Sequence, residues 1–335
     1  MNAESVTERT HAPDASLVEV DNRALVAQCS CWWRGTPDDV GFIGHYSAAH
    51  ADAGAAILEQ ACEVLATAGC TSAVGPVDGN TWRRYRFVVE RGSEPAFFLE
   101  PDNPGDWPRH WAAAGFSPSV TYTSALNDDL SIEDPRTTES LARFATAGIS
   151  IRAFDPARAD ADLRRIFALT TVAFSHNFLY SPIEEAEFLA QNRALLPFVQ
   201  PELILLAERG ATLVGYMFAL PDLLQMQWGL ASDTVVLKTI AVDPSASGMG
   251  LGGALMDLVQ RRARQMGFRR AIHALMHDAN ASRTISRRYA RTIRHYALFS
   301  RPLDSDRTRA PTPVVQPFRA VASVVQPFRA ARPPA

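Results

Sequence analysis

The spacing of apolar and polar residues between positions 233 and 276 predicts a strand, a helix and a second strand. Residues 234–242 are mostly β-branched or apolar, as expected of a strand buried on both faces. From position 251 apolar residues recur at helical spacing, and Gly267 follows where a C-terminal cap is expected. The turn that opens this helix contains Gly248 and Gly250, and Gly252 and Gly253 follow in its first turn. Because such a turn presents unpaired N–H groups and the positive end of the helix dipole, it predicts a site for a phosphate-bearing cofactor.

Two cofactor classes fit a glycine-rich turn of this kind. The glycines at 248, 250 and 253 satisfy the dinucleotide pattern, with Asp278 as a possible ribose ligand. In that fold, however, the first glycine follows the strand almost at once, whereas five residues (243–247) intervene here. The order Ile-Ala-Val, Asp-Pro, short loop and Gly-x-Gly-x-Gly resembles motif A of the GCN5-related N-acetyltransferase (GNAT) superfamily.

This resemblance implies that the chain binds acetyl-CoA or another acyl-CoA. The strand end would pair with the pantetheine arm as an added strand pairs with a free sheet edge. The implied cofactor-binding residues are Ile240, Ala241, Val242, Ser247, Gly248, Met249, Gly250, Leu251, Gly252, Gly253 and Asn280. Where the family usually has Gln or Arg just before the glycines, this chain has Ser245 and Ser247, so a reduced affinity is expected. A glycine-rich turn that only packs a helix on a sheet is the alternative.

The elements around this turn follow the order of the superfamily over residues 150–303. Its fold is α/β, with a mixed, mostly antiparallel central sheet flanked by helices. Gly210 lies in the turn of a predicted hairpin, and Ser181 with Pro182 is predicted to begin a helix. The predicted strands are 150–154, 203–208, 212–220, 233–242, 270–276 and 293–299, and the predicted helices are 156–174, 183–195, 251–266 and 281–291.

The first half of the chain also carries strand and helix patterns. Strands are predicted at 40–46, 71–74 and 97–100, and helices at 53–68 and 107–114. Asn103, Trp111 and Gly115-Phe116 are spaced as at the end of an acetyltransferase domain, but no Gly-x-Gly loop precedes them. We therefore expect two such domains in tandem, the first degenerate. The predicted division is a disordered tail over 1–20, a degenerate acetyltransferase-like domain over 21–130, a linker over 131–148, the GNAT domain over 149–303 and a disordered tail over 304–335.

Composition and charge limit the expected binding partners and the expected cellular compartment. A length of 335 residues suits two domains, and a net charge of −3 gives no reason to expect nucleic acid or an anionic membrane as a partner. No apolar stretch is long enough to cross a bilayer, and the N-terminus has no signal-peptide layout, so a cytoplasmic protein is expected. The four cysteines lack zinc-site spacing, so reduced thiols and no metal are expected.

The C-terminal tail contains a repeated heptapeptide. Residues 314–320 recur as residues 324–330, with a proline in each copy. A local duplication in a disordered tail explains this, and a docking peptide anchored by Phe318 and Phe328 is the alternative.

Acyl transfer to an amine needs a group that takes the amine proton and a group that protonates the leaving thiolate. The resemblance assigns the acid to a Tyr or Ser on the last helix, here Tyr289 or Ser286. Glu208 is a candidate base acting through water, and His273 and His277 are further candidates.

Lys238 interrupts an apolar strand, so it must reach a partner carboxylate, solvent or an anionic substrate.

The sequence therefore predicts an acyl-CoA-dependent N-acyltransferase that acetylates a primary amine of a small molecule by direct attack. A non-catalytic acyl-CoA-binding or regulatory protein is the alternative, followed by a scaffold with a vestigial site. The sequence leaves the oligomeric state open.

Overall fold

A computed structural model describes residues 12–37 and 39–303. Within them, twelve strands form a single sheet. The strands are β1 (Ala15–Asp21), β2 (Ala24–Trp32), β3 (Val40–Ala48), β4 (Ser72–Gly75), β5 (Phe87–Glu90), β6 (Ser117–Asn127), β7 (Ile149–Ala153), β8 (Ile204–Arg209), β9 (Thr212–Pro221), β10 (Thr234–Val242), β11 (Arg270–His277) and β12 (Arg291–Pro302). The helices are α1 (Ala51–Thr67), α2 (Trp107–Ala113), α3 (Arg136–Thr146), α4 (Ala159–Ala173), α5 (Glu185–Arg193), α6 (Leu223–Gln227), α7 (Leu251–Gln265) and α8 (Ala281–Ser286).

The sheet joins the two halves of the chain by an exchange of strands. Its order is β1-β2-β3-β4-β12-β6-β11-β10-β9-β8-β7, with β5 paired to β12 outside this path. The last strand of the first half, β6, thus lies beside β11 of the second half, and β12 lies beside β4 of the first. β6 and β12 pair antiparallel with each other between them. The two halves therefore share one sheet.

The second half has the predicted order of elements. The mixed, mostly antiparallel sheet is confirmed, with β10 and β11 as its parallel pair. Helix α7 packs its buried face on this part of the sheet through Leu251, Leu255 and Val259. Gly267 follows its C-terminus with φ +94°, a left-handed conformation that suits glycine.

The first half repeats the strand–helix–strand unit without the glycine loop. β3 and β4 are parallel and are joined by α1, as β10 and β11 are joined by α7. Only two residues connect β3 to α1, and the side chain of His50 accepts a hydrogen bond from the Ala53 N–H at the helix start. One of the donors that a phosphate would need at this terminus is therefore already used.

Several local predictions are corrected by the structure. Residues 97–100 form no strand; the Phe98 N–H instead donates to Asp222. Residues 15–20, which the sequence places in the tail, belong to β1 because their N–H and C=O groups pair with β2. The predicted linker contains α3, which packs on α7.

Two helix ends also differ from the prediction. Helix α5 begins after Glu184, later than Ser181 and Pro182, because residues 175–184 first wind through a loop. Helix α8 ends at Ser286 because the chain turns there to enter β12.

The four cysteines are free and buried. No helix in the described ranges combines the length and apolar character that crossing a bilayer requires. The repeated heptapeptide and residues 1–11 lie outside the described residues.

Candidate functional site

The parallel strands β10 and β11 are paired over only part of their length. Their register runs from Thr234 opposite Arg270 to Leu237 opposite His273, and ends there. At the same point β10 has a bulge, with Lys238 unmatched against β9. Beyond the bulge, β10 has a strand neighbour on the β9 side alone, so its other edge offers backbone groups to an extended molecule.

The glycine loop after β10 presents a run of backbone donors. Gly248 and Gly250 have φ values of +76° and +84°, and Gly250 is the N-cap of α7 without a side-chain cap. Among the described residues, no N–H group from Gly248 to Gly253 donates to a protein acceptor. A concave row of N–H groups at a helix N-terminus fits a phosphate. The residues present therefore fit the pyrophosphate of coenzyme A.

An arginine outside the motif lies at this loop. Arg143, on α3, has its Nη2 atom 3.7 Å from the position a Cβ on Gly250 would occupy. The same atom lies 3.0 Å from the Ser140 hydroxyl and 3.5 Å from the Met249 carbonyl. Arg143 also pairs with the exposed Glu139 over 3.0 Å through Nη1. Its Nη2 group lies at the loop, where the sequence around Ser245 and Ser247 supplies no positive charge.

A cavity of about 780 Å³ opens where β10 and β11 part. Its volume lies in the range of small-molecule sites. The second half contributes residues 238–240 of β10 and 273–277 of β11, and the first half contributes Trp82, Arg86 and Tyr122 among others. The cavity therefore lies between the two halves of the chain.

Arg86 enters this cavity from the first half. Its guanidinium carbon lies 3.8 Å from the ring centroid of Tyr85 and 4.2 Å from that of Tyr122. It donates from Nη1 to the Leu275 carbonyl over 3.3 Å, and its buried Nε has no hydrogen-bond partner in the described part of the chain. Only 5% of the surface of Arg86 is exposed, so water does not replace the missing partner of its Nε donor.

Lys238 lines the same cavity from the bulge of β10. Burial, with a smaller contribution from Arg86, lowers the pKa of Lys238 to about 7. Within residues 12–37 and 39–303 it forms no ion pair, so the carboxylate partner that the sequence left open is not found there.

His273 is held in a buried hydrogen-bond chain. Its Nε2 lies 3.0 Å from Gln260 Oε1, which also accepts from the Asn127 amide, so Nε2 carries the hydrogen. Its Nδ1 then accepts from the Ser286 hydroxyl at 2.7 Å. Burial lowers the pKa of His273 to about 4, so the ring is neutral at pH 7. Both ring nitrogens and the Ser286 proton are occupied, which leaves neither residue free to transfer a proton to the cavity.

His277 lies at the open end of β11. Its Nδ1 accepts a hydrogen bond of 3.0 Å from the Ala279 N–H, so in the neutral ring Nε2 carries the hydrogen. Burial, together with Arg86, lowers the pKa of His277 against the opposing effect of Asp278. Because its lone pair is already used, the neutral ring can act as a donor toward the cavity.

The structure places the other predicted catalytic residues away from the cavity lining. Tyr289 lies beyond the end of α8, and its hydroxyl donates to Asp257 over 3.4 Å. Glu208 is paired with Arg152 and Arg165. Burial acts to raise the pKa of Glu208, but the hydrogen bonds from these two arginines outweigh it and hold that pKa below its usual value. Of the predicted cofactor residues, Ile240 and Asn280 line the cavity.

Comparison with known proteins agrees with this geometry. Residues 163–291 match the sequence model of the acetyltransferase (GNAT) family. The structure is similar to a GCN5-related N-acetyltransferase from Sphaerobacter thermophilus, with a TM-score of 0.50 and 14% identity over 90% of this chain and 86% of that one. It is also similar to a GCN5-related glucosamine N-acetyltransferase region of a fungal multi-domain GH3 β-N-acetylglucosaminidase, with a TM-score of 0.53 and 12% identity over 89% of this chain and 34% of that one. No curated protein matches the chain.

The matched segment contains the glycine loop, α7 and β11. Residues 163–291 therefore belong to a domain of the acetyltransferase (GNAT) family. The protein joins it to a first half that has a similar strand–helix–strand unit without a phosphate loop.

Sequence reasoning missed the first-half side of the cavity. Arg86 and Tyr122 were assigned no role, although the run from Arg83 to Arg86 places three arginines and a tyrosine together. That clustering was the one available signal, because the partners of these residues lie far away in the sequence.

Proposed function

We propose that the protein is an acyl-CoA-dependent N-acyltransferase that transfers an acetyl group from acetyl-CoA to the primary amine of a small molecule. The observation that carries this proposal is the free edge of β10, which lines the cavity at Lys238, Thr239 and Ile240. The same strand ends at the glycine loop, where the N–H groups of Gly248 to Gly253 have no protein acceptor among the described residues.

Each of these parts has a separate task in the reaction. The loop amides would hold the pyrophosphate, and the free edge of β10 would align the pantetheine arm. Acetyl-CoA supplies the activated acyl group when bound. The cavity would hold the amine next to the free strand edge, where a backbone N–H can polarise a carbonyl. His277, which also lines the cavity, carries a further N–H donor on Nε2.

A pair of glycine substitutions tests the loop. Gly248 and Gly267 both have positive φ, and a Cβ on either would meet no atom within 4 Å. Gly248→Asp places a carboxylate in the loop, whereas Gly267→Asp imposes the same backbone strain at the far end of α7. We expect calorimetric titration with coenzyme A to give micromolar binding to the wild type and to Gly267→Asp, and loss of binding in Gly248→Asp.

Turnover is then measured by thiol release from acetyl-CoA with a panel of amines. Thiol release that requires an amine supports the proposed acyltransferase activity. Coenzyme A binding without release from any amine would favour the non-catalytic acyl-CoA-binding protein. Equal affinities of all three proteins for coenzyme A would contradict the assignment of the loop.

A further inference from the structure

Arg86 and Lys238 both line the cavity, and no carboxylate is among its lining residues in the described part of the chain. We propose that the amine acceptor carries an anionic group, a carboxylate or a phosphate, which binds between Arg86 of the first half and Lys238 of the second half. This inference rests on the proposed function and names the substrate class of that same site.

The hydrogen-bonding state of Arg86 is the first argument. The side chain is buried, and within the described ranges it makes a single hydrogen bond, from Nη1 to the Leu275 carbonyl. Nε has no partner. Donors without partners on a buried guanidinium cost free energy. Two oxygens of a carboxylate or of a phosphate match the geometry of the guanidinium N–H groups. The guanidinium carbon lies over the rings of Tyr85 and Tyr122, and these contacts hold the side chain in place without a ligand.

The charge balance of the cavity is the second argument. No Asp or Glu is among the residues that line it. The third cation, Arg83, is paired with Glu187 over 3.0 Å, which leaves Arg86 and Lys238 without a counter-charge in the described part of the chain. Two unpaired cations in a partly enclosed cavity repel each other. An anion bound between them attracts both and removes the effect of that repulsion, which favours binding.

The backbone at this site is the third argument. Arg86, Leu99 and Leu275 all line the cavity with positive φ, at +66°, +66° and +58°. A positive φ costs conformational free energy in a residue with a bulky side chain. Such strained residues occur most often at functional sites, where the backbone conformation sets the direction of a side chain. At Arg86 the conformation is held by its N–H, which donates to the Pro76 carbonyl over 2.9 Å. The first half therefore positions the group that recognises the acceptor.

Matched pairs of amines test the inference. With saturating acetyl-CoA, thiol release is measured for β-alanine against β-alanine amide and for O-phosphoethanolamine against 2-methoxyethylamine. We expect the anionic member of at least one pair to have the higher kcat/KM, and the two pairs distinguish carboxylate from phosphate. Lys238→Met and Arg86→Gln should each reduce that preference about 10- to 100-fold, mainly through KM. Lys238→Arg and Arg86→Lys should keep most of it, and Arg84→Gln, at an exposed neighbouring arginine, should leave it unchanged.

Three results would overturn the inference. Neutral amines could react as well as their anionic partners, or the charge-removing variants could leave the preference intact. The variants could also lower kcat equally for both members of a pair with KM unchanged, which would make Lys238 a proton acceptor for the amine.

A binding measurement separates this inference from the proposed function. Calorimetric titration with N-acetyl-β-alanine and N-acetyl-β-alanine amide, with and without coenzyme A, needs no turnover. Preferential binding of the acid that Lys238→Met abolishes supports the anion site even if coenzyme A does not bind and the proposed function fails. Equal binding of acid and amide, or binding of neither, counts against it.

Discussion

The Nη1 atom of Arg86 donates a hydrogen bond to the carbonyl oxygen of Leu275, 189 positions later in the chain. This contact joins the first half to β11, the strand that forms one wall of the cavity. Leu275 is also held from the other side, where its N–H donates to the Ser124 hydroxyl over 3.0 Å. Because both residues that hold Leu275 belong to the first half, that half controls the shape of the site although it lacks a phosphate loop.

Lys238→Met should make the protein more stable at pH 7. The substitution removes a partly buried, unpaired cation and keeps the length of the side chain, so we expect a gain on the order of 1 kcal/mol, or a few degrees in Tm. The pH dependence follows from the pKa of Lys238, which burial lowers to about 7 in the folded protein, whereas an unfolded lysine titrates near pH ~10.4. Below pH 7 both states hold the proton and the wild type is at its greatest disadvantage. As the pH rises from 7 toward 10, the unfolded state holds more protons than the folded state, so the wild type gains stability and the advantage of Met shrinks.

Thermal unfolding of both proteins at pH 6.5, 7.5 and 9 measures this difference. The other titratable groups that line the cavity are present in both proteins: Arg83, Tyr85, Arg86, Tyr122, His176, Tyr180, Tyr216, His273 and His277. An advantage of Met that stays constant across this range would show that Lys238 is not the group responsible.

Arg143→Gln should weaken coenzyme A binding. Its guanidinium lies beside Gly250, where it adds positive charge to a loop whose flanking Ser245 and Ser247 are neutral. Since the side chain is exposed and the interaction is screened, we expect a loss of about 3- to 10-fold in affinity, larger at low ionic strength. Calorimetric titration in 50 mM and 300 mM salt measures it. Arg164→Gln removes an equally exposed ion-pair arginine on α4 and should not change the affinity. A loss of the same size in both variants would assign the effect to net charge alone.

Much of the secondary structure of the second half could be predicted because the residues that determine each element are close together in the sequence. The β-branched run of β10, the glycines and the helical periodicity of α7 specify their elements within about 30 consecutive positions. The loop could therefore be placed from sequence, and the structure finds its amides unpartnered.

The proposed acceptor site could not be predicted in the same way. The surroundings of Arg86 are formed by Leu275, Tyr122 and Lys238. No sequence periodicity relates residues so far apart in the chain. The predicted length of the last helix was wrong for a local reason, because α8 ends at Ser286 and Tyr289 does not follow it at helical spacing. The exchange of β6 and β12 could not be predicted either. The sequence pattern of a strand does not indicate which other strand lies beside it in the sheet.

Tyr289→Phe should leave acyl transfer nearly unchanged. The hydroxyl donates to Asp257 and does not reach the cavity, so its removal costs one long hydrogen bond inside the protein. We expect kcat within about threefold of the wild type and a stability loss of at most about 1 kcal/mol. Steady-state thiol release and thermal unfolding measure the two effects. A fall in kcat of a hundredfold or more, with unchanged stability, would restore Tyr289 as the general acid.

The second half should not fold when separated from the first. A fragment of residues 131–303 lacks β6, so β11 loses its antiparallel partner and β12 loses both β6 and β4. The exposed strand edges and the uncovered apolar face of the sheet should make the fragment insoluble or unfolded. Co-expression of residues 12–130 with residues 131–303 should restore a soluble complex, because the strand pairs form between the two fragments as they do within one chain. Gel filtration and circular dichroism, with residues 12–303 as the control, measure the outcome. A soluble fragment of residues 131–303 that unfolds cooperatively as a monomer would mean that β6 is dispensable and that the shared sheet is not what couples the first half to the site.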